Sequence, residues 1–174
     1  IIKEYTDAGA RIPSIGVQTF RNNESAERLY FEFAKKAGAK FISASFDVNT
    51  VPESIRTAEK LSEEYDIPLA IHNHGGKHWL GSIEMLKRVF ADTSKRIGLC
   101  LDTAWALDSR EDPINMAKTF SDRLYGVHIK DFVFSENREP EDVVVGTGNL
   151  DLKALSDTME DAGFSGYAVI EYEG

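Results

Sequence analysis

Six short β-rich runs, spaced by segments of helical periodicity, leave few folds open to this chain. The runs are IPSIGVQTF (Ile12–Phe20), FISASF (Phe41–Phe46), LAIHNH (Leu69–His74), IGLCLDT (Ile97–Thr103), LYGVHIKD (Leu124–Asp131) and YAVIEYE (Tyr167–Glu173). Their apolar character suits strands covered on both faces, as in a parallel sheet. In SAERLYFEFAKKAG, Ala26, Leu29, Phe33 and Ala37 stand at i, i+3, i+7 and i+11, which predicts one buried helical face. Gly38 follows where a left-handed C-cap belongs. PESIRTAEKLSEEYDI places Pro52 near a first turn and Ile55, Ala58 and Leu61 on one face. Ser82 opens a third helical segment; Asp151 opens and Gly163 closes a fourth. Such alternation predicts parallel β/α units.

Counting the units sharpens the expectation. About six strands are visible, the last with no helix after it, and IIKEYTDAG at the N-terminus reads as the end of a helix whose strand is missing. A closed (β/α)8 barrel has eight units in typically ~250 residues. The expected fold is therefore α/β, a (β/α)8 TIM barrel truncated to about six units. Residues 1–174 would form a single domain, incomplete at both ends, with bare outer strand edges. An open doubly wound sheet would call for a glycine-rich phosphate loop after an early strand, and the sequence has none.

Composition excludes several partners. A net charge of −9 disfavours an extended nucleic-acid surface, because phosphate contacts need clustered Lys and Arg. No apolar run approaches the roughly 20 residues that span a bilayer. The single Cys100 rules out an internal disulfide, which fits a cytoplasmic protein. The chain opens at Ile1 in what reads as mid-helix, so an export signal would lie upstream of it. A homo-oligomer fits this reading equally well.

The informative residues are the polar ones at strand ends. His72, His74 and His78 fall within seven residues in a chain of only 4 His. His72 and His74 end the third run, Asp102 the fourth, His128 and Lys130 the fifth, Glu171 and Glu173 the sixth. In a barrel, catalytic groups come from the C-terminal ends of strands. An unpaired charge after an apolar run costs several kcal/mol if buried, so these groups need partners. Four successive strands ending in His, Asp, His and Glu converge on one axis and make a donor set for a divalent cation. Alternation puts His72 and His74 on one face and turns Asn73 away.

These residues resemble the xylose-isomerase-like TIM barrels, the sugar phosphate isomerase/epimerase superfamily. The resemblance rests on IHNHGG, IGLCLDTAW with its Gly-x-x-x-Asp-Thr strand, GVHIKD, GTGNLDLKAL and VIEYEG, in that order along essentially the whole chain. It implies one divalent metal, Mn²⁺, Mg²⁺, Co²⁺ or Zn²⁺, held by Asp102, His128 and Glu171 with His72 as the fourth ligand. The position of His72 is Glu in much of the family, where two metal-bound glutamates act as acid and base; Trp105 stands where many relatives place a substrate-contacting His.

The expected activity is that of a divalent-metal-dependent isomerase or epimerase of a small sugar or sugar derivative, working by α-proton abstraction next to a metal-bound carbonyl. Glu171 is the expected base, with His74 or His78 second. Lys130 would support a developing oxyanion or hold an anionic group. His74, His78, Trp79, Trp105, Lys130 and Glu173 are the expected carbohydrate contacts, the indole rings offering apolar faces to a sugar. The alternative on the same scaffold is a keto-sugar or keto-inositol lyase or dehydratase, toward which His72 points. An AP-endonuclease-type DNA repair enzyme is disfavoured by the charge. The charged loop FSENREPEDVVVGTGNLD reads as a solvated active-site rim, and Arg138 within it as a surface arginine.

Overall fold

The computed structural model describes residues 1–174, which divide into two compact units. The first comprises Ile1–Ile71 and Thr93–Gly98. It holds α1 (Ile2–Asp7), β1 (Ser14–Phe20), α2 (Glu24–Ala37), β2 (Phe41–Phe46), α3 (Glu53–Tyr65) and all but the last residue of β3 (Leu69–His72). Strand β2 is buried at every position, as its apolar run requires. Asn23 caps α2 by accepting the Ala26 N–H, and Gly38 ends it with φ 74°, where a Cβ would be strained. In α3, Ile55, Ala58 and Leu61 form the buried stripe.

Helix α2 corrects the expected face. Glu27, Phe31 and Ala34 are buried, whereas Leu29 is 61% and Phe33 41% exposed. The helix carries apolar residues around most of its circumference, so periodicity alone admits two faces. Tertiary partners select one of them. Phe31 packs against Phe20 and stacks on Tyr65 with ring centroids 5.5 Å apart. Glu27 is inside because its Oε1 accepts the N–H groups of Arg21 and Asn23 at 2.7 and 3.1 Å, ordering the turn that enters the helix.

The second unit comprises His72–Asp92 and Leu99–Gly174. It holds α4 (Ile83–Ala91), most of β4 (Ile97–Asp102), α5 (Thr103–Asp108), α6 (Pro113–Thr119), β5 (Leu124–Ile129), β6 (Asp131–Phe134), β7 (Pro140–Val143), α7 (Leu152–Asp161) and β8 (Tyr167–Ile170). Ser82 and Asp151 cap α4 and α7, accepting from Met85 N and Ala154 N at 3.2 and 2.9 Å. The segment expected as a solvated rim supplies the second strand of a hairpin: β6 and β7 pair antiparallel from Asp131↔Val143 to Phe134↔Pro140. Its strands are short and one reads Pro-Glu-Asp-Val, so no strand pattern marks it.

Hydrogen bonding orders the main strands β1-β2-β3-β4-β5-β8, with β6 and β7 in a separate sheet. The pairs β1–β2, β2–β3, β4–β5 and β5–β8 are parallel. This sequential order, with no reversal point, is that of a β/α barrel and not of a doubly wound sheet. No helix is long and apolar enough to cross a membrane.

Candidate metal centre

Three strand ends and one strand exit of the second unit deliver the polar residues. His72 is the last residue of β3, Asp102 the last of β4, His128 lies in β5 paired with Asp102 across the ladder, and Glu171 follows β8. His72 Nε2 lies 3.3 Å from His128 Nδ1 and 3.6 Å from Asp102 Oδ2; His128 Nδ1 lies 2.6 Å from Glu171 Oε2. One donor atom each from His72, Asp102 and His128 fits within a sphere of mutual separation 4.8 Å. Ligands held tetrahedrally at ~2.0–2.2 Å from an ion stand roughly 3.3–3.6 Å apart, the spacing of the first two contacts. The shorter His128–Glu171 contact is the length of a charge-assisted hydrogen bond.

The electrostatics point the same way. Asp102 divides its carboxylate: Oδ1 accepts the Trp105 N–H at 2.8 Å and caps α5, while Oδ2 is buried with no hydrogen-bond partner. His72 Nδ1 is likewise buried and unpartnered. Burial, aided by the nearby Glu171 charge and opposed by the Trp105 N–H, pushes the Asp102 carboxyl up to about 7. Burial, with His128, His74 and Lys130 nearby, pushes His72 down to about 3. A neutral imidazole and an unsatisfied carboxylate oxygen facing one point are what a cation would relieve, so the donor set fits a divalent metal.

A layer that sequence reasoning missed holds these groups in place. Asn73, fully buried, donates to Asp102 O at 2.9 Å and accepts Asp102 N–H at 2.8 Å, clasping the backbone of the metal-facing carboxylate. The Thr103 hydroxyl bonds to Lys130 O at 2.5 Å and accepts Lys130 N–H at 2.9 Å. Asp131, also fully buried, accepts from the N–H groups of Gly146, Gly148 and Leu150 at 2.8–3.0 Å and so fixes the GTGNL turn. The expectation that Asn73 turns away from His72 is the only trace of this layer in the sequence, because its partners are backbone atoms.

Lys130 is 1% exposed and ringed by carboxylates: it bonds to Glu173 and lies 3.5 Å from Glu171 Oε1 and 3.6 Å from Asp142 Oδ2. Burial acts to lower its pKa, but Glu173, Glu171 and Asp102 outweigh it and hold the ammonium above its ordinary value. The neighbouring Asp131 is not its partner. Asp142, on β7, is a site residue supplied by the unforeseen hairpin. Lys130 Nζ also sits 5.5 Å from the centroid of Trp105. His74 lies just beyond β3, its ring 4.9 Å from both His72 and His78, so all four histidines form one contiguous chain of rings. Burial lowers the pKa of both His74 and His78. Trp79 is half-buried in the turn before α4.

The family model described as xylose isomerase-like TIM barrel matches residues 30–174. The chain belongs to this family. Among its relatives, the rhizopine catabolism protein MocC of Rhizobium meliloti is 28% identical over 130 residues, 67% of this chain and 39% of its own length. An inosose dehydratase of Lacticaseibacillus casei is 22% identical over 126 residues, 64% of this chain and 42% of its own. The chain thus spans about two-fifths of these relatives. The crystal structure of the IOLI protein with a bound zinc atom superposes with a TM-score of 0.77 at 17% identity, covering 98% of this chain and 71% of that one.

Proposed function

We propose that the protein is a divalent-metal-dependent enzyme that removes a proton from the carbon beside the carbonyl of a small sugar derivative and returns it to give an isomer or epimer. The observation that supports this reading is the cluster of His72, Asp102 and His128, with donor atoms within 4.8 Å of one another at the buried, unpartnered Asp102 Oδ2, and with Glu171 2.6 Å from His128. When bound, the cation supplies Lewis-acid polarisation of the carbonyl. In this reading Glu171 accepts the α-proton, and its Oε1, 3.5 Å from Lys130 Nζ, supports the role. The Lys130 ammonium, kept charged by its carboxylate neighbours, offers positive charge to the substrate oxygen as negative charge builds there. Trp105 presents an aromatic face beside Lys130, and His74 and His78 line up behind His72 as hydroxyl contacts.

A second reading, dehydration of a keto-cyclitol, is favoured by His72. Isomerases of this family use two facing glutamates, and a neutral imidazole at one of them leaves a single carboxylate to move protons. After the α-proton reaches Glu171, a β-hydroxyl leaves with a proton as water. The inosose dehydratase relatives make keto-inositols a substrate class to include. The test is a panel of keto-sugars and keto-inositols with the full-length protein in deuterated water, followed by NMR. Deuterium incorporated with conserved mass formula supports isomerisation or epimerisation. Loss of water supports the lyase. No exchange at any α-carbon, with metal present, sinks both.

A further inference from the structure

Two of the metal-facing donors are each followed in the chain by a residue that ties their strand end to the next one. Asn73 comes directly after His72, where β3 has ended, and Thr103 directly after Asp102, at the start of α5. Both residues are fully buried. The Asn73 side-chain amide carries the donor and the acceptor of a peptide group and spends both on one residue. It donates to Asp102 O at 2.9 Å and accepts Asp102 N–H at 2.8 Å. The bonding between the neighbouring strands β3 and β4 is thereby carried one residue past the end of β3. Thr103 does the same for the next pair. Its hydroxyl accepts Lys130 N–H at 2.9 Å, donates to Lys130 O at 2.5 Å and lies 3.2 Å from His128 O.

The polar atoms of Asn73 and Thr103 go to backbone, so neither residue is itself a ligand. What they fix is distance. His72 Nε2 stands 3.6 Å from Asp102 Oδ2 and 3.3 Å from His128 Nδ1, and each of these donors sits on a strand end held by one of the two ties. A metal site tolerates ligand lengths only within roughly 0.2 Å of the preferred value. His and Asp side chains are short, so most of a shift in their backbone reaches the donor atom. A strand end released to slide by a fraction of an ångström would therefore carry its donor out of range, although the ligand residues themselves were unchanged.

We propose that Asn73 and Thr103 are positioning residues that set the separation of His72, Asp102 and His128, and with it the affinity and coordination geometry of the metal centre. Their role rests on that site holding a divalent cation. The test is Co²⁺ titrated into the full-length protein: its visible absorption reports coordination geometry, competition with a chelator gives the affinity, and the melting temperature of the metal-free protein is followed beside them. Thr103→Val keeps the shape and removes the hydroxyl, Thr103→Ser restores the hydroxyl, and Asn73→Ala removes the other tie. The Val and Ala variants should bind Co²⁺ about tenfold more weakly or worse, with an altered visible spectrum, while Thr103→Ser keeps the native affinity and spectrum. Asn73→Ala empties a buried position, and the isosteric Thr103→Val keeps the test decisive if that variant does not fold. A purely structural role would lower the melting temperatures and leave both cobalt readouts of the folded protein unchanged; that result in either variant would overturn the proposal. So would a Thr103→Ser variant as weak as Thr103→Val, because the hydroxyl would then not be the tie. Absence of Co²⁺ binding by the native protein is a distinct failure, which removes the metal centre and the role of both residues with it.

Discussion

Asp102 Oδ1 serves the fold by capping α5, while Oδ2 lies buried with no partner. Asn keeps the capping oxygen and removes the charge. Asp102→Asn should therefore abolish metal binding and turnover, yet raise the melting temperature of the metal-free protein at pH 8 by about 2–4 °C per kcal/mol of desolvation relieved. The sign follows from burial: a carboxyl pushed up to about 7 is ionised at pH 8 at a cost to the folded state, and that cost fades as pH falls below 7. A lower melting temperature for the variant by scanning calorimetry would contradict this account. Glu171→Gln should leave the melting temperature within about 1 °C, because the residue is partly exposed, while reducing α-proton exchange by ~10² or more. His72, Asp102, His128 and Glu171 were legible in the sequence because each interrupts an apolar run. Asn73, Thr103 and Asp131 were not, since a side chain whose partners are backbone N–H and C=O groups leaves no pattern of its own.

At the scale of elements, the β6–β7 hairpin brings Asp142 to Lys130, and Asp131 ties the hairpin's first residue to the GTGNL turn. Removing a buried acceptor of three backbone N–H groups strands those donors. Asp131→Ala should cost about 2–4 kcal/mol in urea unfolding, and hydrogen exchange should rise first at Gly146, Gly148 and Leu150. Uniform exchange across the unit would show that the carboxylate does not order this turn. Strand–helix alternation announced the main elements, and the caps at Ser82 and Asp151 were readable because capping is local in sequence. The buried face of α2 was not. Leu29 and Phe33 stand at helical spacing as convincingly as Phe31 and Ala34, and the choice between them lies with Phe20 and Tyr65, residues distant in sequence.

For the molecule as a whole, the net charge of −9 is the feature that favours the proposed carbohydrate reading over a nucleic-acid one. Binding to abasic DNA should be weak, with a log–log salt slope shallower than about −2, since few phosphates could be neutralised. Steep salt dependence in a filter-binding or fluorescence assay would favour a repair enzyme. Membership of the xylose isomerase-like family accounts for the sequential strand order, and the strand-end donors account for where chemistry is expected. Everything proposed about the reaction rests on those donors holding a cation. The most direct measurement is the metal content of the full-length protein after dialysis against Mn²⁺ or Zn²⁺, beside its Asp102→Ala variant. The account predicts one equivalent bound by the native protein and close to none by a folded variant. No stoichiometric metal in the native protein, or an equal amount in the variant, would contradict it.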